Sequence, residues 1–306
     1  MRARALALLA AFAAAGAVSA AAGPDGAPRH RGDPSKGRWP PTVVFMTDFG
    51  TKDDSVALCK GVMWTIHPSM RIVDLTHEVT PYDVAAAGRL LEGTIEHYPA
   101  GTVFVVVVDP GVGSERRSIA VRTKKGHLLV GPDNGVFTRV LDREGLDEAR
   151  ELKEPRYWRD RVSGTFHGRD VFSPVGGHLA AGVPLSAFGP VVEDLVRLPL
   201  RRARAESGGI RGEVAALEVP YGNVLTDIPS EFLEGVGIHP GVDVEVSIGT
   251  RTWSLPYRRT FSDVAEGTAL ALPSSRDKLC LAVNMGDFAK TRGVAVGESV
   301  FVRRKR

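Results

Sequence analysis

Between Thr42 and Ala180 the chain alternates short, fully apolar runs with longer stretches whose apolar residues recur every three or four positions. Thr42-Val43-Val44-Phe45-Met46 is the first run, and it stops at the polar turn Thr47-Asp48-Phe49-Gly50. A strand buried on both faces has this pattern, because helices cover both sides of a parallel sheet. Asp53 to His67 predicts a helix. Asp53, Asp54 and Ser55 stand where oxygens can accept from free backbone N–H groups, Val56, Leu58, Val62, Met63 and Ile66 follow at near-helical spacing, and Pro68 stops it. Ile72 to Leu75 then predicts a strand, Val84 to His97 a helix closed by Pro99, and Thr102 to Val108 the strongest strand, ending at Asp109-Pro110-Gly111. Ser118 to Arg122 and His127 to Val130 predict a hairpin, and Asp170 to Ala180 a further helix. Strands alternating with helices imply an α/β domain with a largely parallel sheet.

The pattern changes after Leu200. Arg201 to Gly209 is charged and contains glycine, so it reads as a linker. Beyond it, Gly212 to Val219, Asp243 to Ile248, Arg251 to Pro256, Thr268 to Leu272, Lys278 to Val283 and Ser299 to Arg303 are short strand-like runs separated by Gly or Pro. They predict a small antiparallel barrel or sandwich. The expected organisation is an N-terminal α/β domain over 42–200 and a C-terminal β-barrel domain over 209–306.

The N-terminus has its own pattern. Arg2 and Arg4 precede an apolar stretch from Ala5 to Val18, followed by the small residues Ser19-Ala20-Ala21-Ala22. That order predicts a secretory signal peptide over 1–22, too short and alanine-rich for a comfortable membrane span. Residues 23–41, rich in Pro, Gly, Arg and Lys, predict a disordered linker. The expected location is secreted or periplasmic, or cytoplasmic if the signal is not functional.

Composition narrows the chemistry. The 306 residues are 43% hydrophobic and 25% charged, as in a globular protein, and the net charge of +3 without a long basic block argues against a nucleic-acid partner. The basic run Arg303 to Arg306 reads as a solvated tail. Cys59 and Cys280 lack metal-ligand spacing and read as two buried free thiols, with one long-range disulfide as the alternative. Thr76-His77-Glu78 lacks the second His of a zinc-protease motif, and no metal is expected.

In open α/β sheets ligands bind beyond the carboxyl ends of strands. Asp48 and Asp109 stand at two such ends. The loop Gly111-Val112-Gly113-Ser114-Glu115-Arg116 has Arg116 where a dinucleotide fingerprint has its third glycine, which argues against a dinucleotide enzyme. His167 lies in the turn Thr165-Phe166-His167-Gly168-Arg169-Asp170, off any apolar face, and Asp170 reads as the cap of the following helix.

Six motifs occur in order: Thr47-Asp48-Phe49-Gly50; Lys60-Gly61-Val62; Asp74-Leu75-Thr76-His77-Glu78; Val107-Val108-Asp109-Pro110-Gly111-Val112-Gly113; Gly131-Pro132-Asp133-Asn134-Gly135; and Thr165 to Asp170. Together they resemble the SAM hydroxide adenosyltransferases, hydrolases of S-adenosyl-L-methionine (SAM) related to the SAM-dependent fluorinase and chlorinase. The resemblance runs from Thr42 to the C-terminus. It implies an α/β domain followed by a β-barrel domain, SAM as substrate with no cofactor, and a homotrimer with sites between subunits. It places the water-activating Asp–Arg–His set on Asp109, Arg116 and His167, and the ribose-binding carboxylate on Asp48. Substrate contacts fall on Asp53, Ser55, Tyr82 and Phe166, and in the C-terminal half on Glu218, Tyr221, Asn223, Ser275 and Arg276. Glu218 stands where the family usually has Asp, and Tyr221 where it usually has Phe.

The implied reaction is hydrolysis of SAM to adenosine and L-methionine. Its alternatives are a halogenase of the same fold, which needs a halide pocket without a charged carboxylate, and a non-catalytic exported adenosine-binding protein. The last would keep Asp48, Tyr221 and Asn223 but have no use for Asp109, Arg116 and His167.

Overall fold

The computed structural model of the chain describes residues 40–200 and 202–305. The expected signal peptide, and the expected linker up to residue 39, lie outside them.

The first sheet is built from β1 (Thr42–Thr47), β2 (Arg71–Thr76), β3 (Val103–Val107), β4 (Ser118–Thr123), β5 (Leu128–Pro132) and β6 (Leu146–Glu151). Its order is β2-β1-β3-β5-β4-β6. The first four run parallel, and β4 and β6 extend the sheet in antiparallel pairing. Strand periodicity explains the unbroken apolar runs. Val43 and Phe45 of β1, with Val103, Val105 and Val107 of β3, share a core with Cys59 and Met63 of α1 (Ser55–Ile66) and Val175 and Leu179 of α4 (Ser173–Ala180). Val44 and Met46, with Phe104 and Val106, face the other way, onto Ala87, Leu91 and Ile95 of α2 (Val84–Ile95) and Val140 and Leu141 of α3 (Thr138–Glu144). Every position of β3 is therefore inside.

The helix expected over Asp170–Ala180 begins differently. Gly168–Phe172 forms a π turn, in which Ser173 N donates to Gly168 O, and the α-helix proper starts at Ser173. Asp170 is not the cap of that helix. It is buried inside the π turn, where it accepts from Ser163 N at 2.8 Å and from Arg169 Nε at 2.7 Å. At α1, Asp53 accepts from Ser55 N at 2.9 Å, whereas the side chain of Asp54 caps nothing.

The second sheet comprises β7 (Arg204–Glu206), β8 (Gly209–Glu218), β9 (Asn223–Pro229), β10 (Asp243–Ile248), β11 (Arg251–Pro256), β12 (Ala269–Pro273), β13 (Lys278–Val283) and β14 (Ser299–Arg304). Its order is β11-β10-β14-β8-β9-β13-β12, and a bridge between Tyr257 and Ala271 brings the two ends together into a nearly closed antiparallel barrel. Val214, Val224, Ile228, Val244, Val246, Val300 and Val302 fill it, with Tyr257 and Phe288. The expected linker is in fact partly a strand: β7 pairs with β8 through the turn at Ser207-Gly208, where Gly208 has φ +80°. Its charged composition suits a sheet edge, and Arg211 bonds Glu206 across the hairpin at 2.7 Å. Strand β9, which the apolar pattern did not predict, carries Thr226 and Asp227 in the middle of the sheet. Thr226 Oγ1 donates to Leu279 O at 2.8 Å, and Asp227 accepts from Glu213 N at 2.7 Å beside a register shift in β8.

Cys59 and Cys280 are free and buried in separate cores. Burial pushes their thiols up to about 11 and about 12. Among the described residues, no helix is long and apolar enough to cross a membrane, and no group of three or more His, Cys, Asp or Glu side chains is placed to hold a metal.

Gly176 carries the contact between α4 and the sheet, since a Cβ there would run into Cγ2 of Val105. An interior helix Gly→Ala change ordinarily stabilises by about 1 kcal/mol. Here Val105 is β-branched and cannot rotate away. Gly176→Ala is expected to destabilise the fold by about 1–3 kcal/mol, and Val105→Ala in the same chain to recover part of that loss. Urea denaturation of the wild type and the two variants checks both signs.

Candidate active site

The order β2-β1-β3 places a topological switch point at the carboxyl ends of β1 and β3. Thr47 pairs with Val107 in register, so Asp48 and Asp109 leave the sheet side by side, one and two residues further on.

Asp109 meets Arg116 in a forked ion pair. Arg116 Nε donates to both carboxylate oxygens at 2.9 and 3.1 Å, and Nη2 donates to Oδ2 at 2.5 Å. The side chains are only 6% and 10% exposed, so two charged groups have left water together, and such a fork is among the stronger pairings available to them. Ser118, at the start of β4, accepts from Arg116 Nη1 at 2.7 Å, and the guanidinium lies 5.2 Å from the centre of the Phe172 ring. Neither Ser118 nor Phe172 stood out in the sequence. The i+2 spacing from Arg116 to Ser118 is too common to signal anything by itself.

The 110–115 loop closes against the segment carrying His167. Gly113, at φ +79°, leaves room for Gly164 O 2.5 Å from where its Cβ would be. Gly168 likewise leaves room for the Phe49 ring. His167 Nδ1 then lies 2.8 Å from Arg116 Nη2. A guanidinium only donates, so Nδ1 accepts, and the imidazole is the neutral tautomer with its proton on Nε2. Burial pushes the His167 pKa below 6.5 and the Arg116 cation pushes the same way, against weaker pulls from Asp109 and Asp170. The three residues placed together by resemblance are thus one hydrogen-bonded unit: an acceptor carboxylate, a shared guanidinium and an imidazole presenting an N–H.

The remaining expected contacts fall into separate groups. Asp48 Oδ2 accepts from Tyr82 N at 2.9 Å, holding Tyr82 at φ +67° with its ring exposed. Phe166 packs edge-on against Phe49 at 5.6 Å, joining the Asp48 turn to the His167 turn. Asp53 and Ser55 lie at the exposed start of α1. On the barrel, Asn223 Nδ2 donates to Glu218 at 2.8 Å beside the exposed Tyr221. Ser275 and Arg276 are not brought to that pair. Lys278 pairs with Pro229 and Leu281 with Val224, so they stand at the opposite end of β9, roughly 20 Å away at 3.3 Å per residue. There they line a cleft of about 490 Å³ with Arg139, Asp227 and Lys278, and Arg276 crosses α2 at Gly93.

The SAM hydroxide adenosyltransferase N-terminal domain matches residues 43–189, and the C-terminal domain of the same family matches residues 212–301. The chain belongs to the SAM hydroxide adenosyltransferase family. Among relatives, an (R)-S-adenosyl-L-methionine hydrolase from Salinispora arenicola is 39% identical, over 86% of this chain and 97% of its own length. A fluorinase from Actinopolyspora mzabensis is 33% identical with the same coverage. A crystal structure of a conserved protein from Thermotoga maritima superposes with a TM-score of 0.83 at 36% identity, covering 86% of this chain and all of that one. The relatives of this chain thus include both SAM hydrolases and a fluorinase.

The geometry predicts how His167 titrates. With Arg116 in place, its NMR titration midpoint is expected below 6.5. Arg116→Gln removes a repelling cation and frees the Asp109 carboxylate to attract the imidazolium, so the midpoint should rise. A wild-type midpoint above 6.5 would contradict the neutral, Nδ1-accepting state.

Proposed function

We propose that this protein hydrolyses SAM to adenosine and L-methionine, with Asp109, Arg116 and His167 holding the attacking water. The hydrogen-bonded joining of these three side chains beside the switch point is the observation that carries the proposal. The relatives named (R)-S-adenosyl-L-methionine hydrolase, at 37–39% identity over most of this chain, support it.

The chemistry follows from the substrate's charge. SAM is a sulfonium, so C5′ is already activated and methionine leaves as a neutral thioether carrying the electron pair of the broken C5′–S bond. The demand falls on the nucleophile. Asp109 retains lone pairs outside the Arg116 fork and can take a hydrogen bond, and then a proton, from water. Arg116 stabilises the hydroxide character that develops, and His167 offers Nε2–H to the same oxygen. Because Nδ1 is occupied by Arg116, His167 acts as a donor and not as the base. Holding the water in line with the C5′–S bond can account for up to roughly 7–11 kcal/mol of the barrier. Asp48 would take the ribose hydroxyls, and Tyr82 and Phe166 the apolar faces of the ligand.

A halide would meet Asp109 as a like charge. At an effective dielectric of about 20, two unit charges about 4 Å apart repel by on the order of 4 kcal/mol. The Arg116 fork reduces that figure, while water pays none of it. Purified protein given SAM should release adenosine and methionine at a rate insensitive to excess chloride or fluoride. Asp109→Asn should lower kcat on the order of 10²–10⁴-fold while still binding SAM. A 5′-halo-5′-deoxyadenosine as main product, or full activity in Asp109→Asn, would sink the assignment.

Assembly as a homotrimer is part of the same proposal. The Glu218–Asn223 pair and the Ser275–Arg276 pair stand at opposite ends of β9 on one chain, and a neighbouring subunit could supply the barrel contacts to each switch point. Light scattering is expected to give a mass of three chains, and a monomer that cleaves SAM would refute it.

A further inference from the structure

His77 belongs to a sequence motif that neither a metal site nor the water-holding set uses, yet its side chain is buried behind the switch point, at 5% exposure. A continuous chain of bonds passes through it. Lys60 Nζ on α1 lies 2.6 Å from Asp74 Oδ2 at the end of β2. Asp74 Oδ1 lies 3.0 Å from His77 Nε2. His77 Nδ1 lies 2.9 Å from Thr47 Oγ1, the last, fully buried residue of β1. Thr47 Oγ1 in turn accepts from Phe49 N at 3.2 Å, and Gly50 N donates to His77 O at 2.7 Å. One assignment satisfies every atom: Nε2–H donates to Asp74, Thr47 O–H donates to Nδ1, and the Thr47 oxygen accepts from Phe49 N–H.

These bonds enclose one residue. Asp48 sits between Thr47, held through its side chain, and Phe49, held through its N–H, and the next residue is tied to the carbonyl of His77. Among the described residues, the Asp48 carboxylate itself bonds only Tyr82 N, so the direction it points is set by the backbone on either side. The edge of Phe45 closes the other face of the imidazole at 5.0 Å. Buried networks of this kind rigidify when every member is satisfied.

We infer that Thr47 and His77, backed by Asp74 and Lys60, are positioning residues that aim the Asp48 carboxylate at the ligand's ribose hydroxyls. The inference rests on the proposed function and deepens it: the Lys60–Asp74–His77–Thr47 chain serves affinity for the nucleoside part of SAM, whereas Asp109, Arg116 and His167 serve the water.

Thr47→Val is the cleanest test, because it keeps the shape of the side chain and removes the hydroxyl. It is expected to weaken SAM binding and raise KM by about tenfold, the scale of one lost hydrogen bond, while kcat stays within about threefold. Thr47→Ser should restore the wild-type KM. His77→Phe, which keeps the ring against Phe45 and loses both bonds, should reproduce the Thr47→Val effect. In an Asp48→Ala background, Thr47→Val should add nothing further, since a residue acting through Asp48 has no remaining target. An unchanged KM in Thr47→Val, a loss confined to kcat, or full additivity with Asp48→Ala would overturn the positioning role while leaving SAM hydrolysis by the wild type in place. A wild type that neither binds nor cleaves SAM would overturn the proposed function and this inference together.

Discussion

Everything at the site depends on two parallel strands buried on both faces. Because β1 and β3 are inside on every side, their direction and register are set by packing, and Val43 cannot slip against Val103 without moving Phe45 and Val44 into the wrong cores. That constraint delivers two carboxylates, Asp48 and Asp109, to the same rim. Helices on either face leave only the strand ends open, so chemistry is confined to the turns that follow them. Glycines then allow the turns to close on one another: Gly113 admits the backbone at Gly164, and Gly168 admits Phe49.

A buried carboxylate at such a rim is tolerable only if its charge is answered. Arg116 answers it with three hydrogen bonds and is itself pinned by Ser118 and by the ring of Phe172. Burial and then its remaining reach both disfavour the charged state of His167. One cation thus serves as partner to an acceptor and as neighbour to an imidazole that must stay neutral. The second carboxylate is managed by another device. Asp48 is not paired with a cation in the described structure, and its direction comes from the backbone around it.

Much of this was legible in the chain. The apolar runs ending at Asp48 and Asp109 announced buried parallel strands and the rim they make, because burial on both faces leaves no polar positions to confuse the period. Asp109, Arg116 and His167 were legible through the motifs around them, not through spacing, since Arg116 and His167 are 51 residues apart and meet only after folding. What was not legible depends on tertiary partners. The π turn at Gly168 packs against Phe49, a neighbour distant in sequence. Strand β7 is charged because it lies at an edge, and β9 hides Asp227 in a sheet interior where a register shift supplies an N–H. The placement of Arg276 over Gly93, away from Asn223, depends on β9–β13 register that no local pattern encodes.

The two cysteines, described above only as core residues, bear on where such a fold can survive. With thiols raised by burial to about 11 and about 12, the anionic sulfur that oxidants and disulfides attack amounts to on the order of one molecule in ten thousand or fewer at neutral pH. Cys59 is on the buried face of α1 and Cys280 on β13, in separate cores. No bond between them is needed to hold the chain together, and none is within reach to trap it wrongly. The fold therefore holds no Cys59–Cys280 disulfide that a reducing milieu could break.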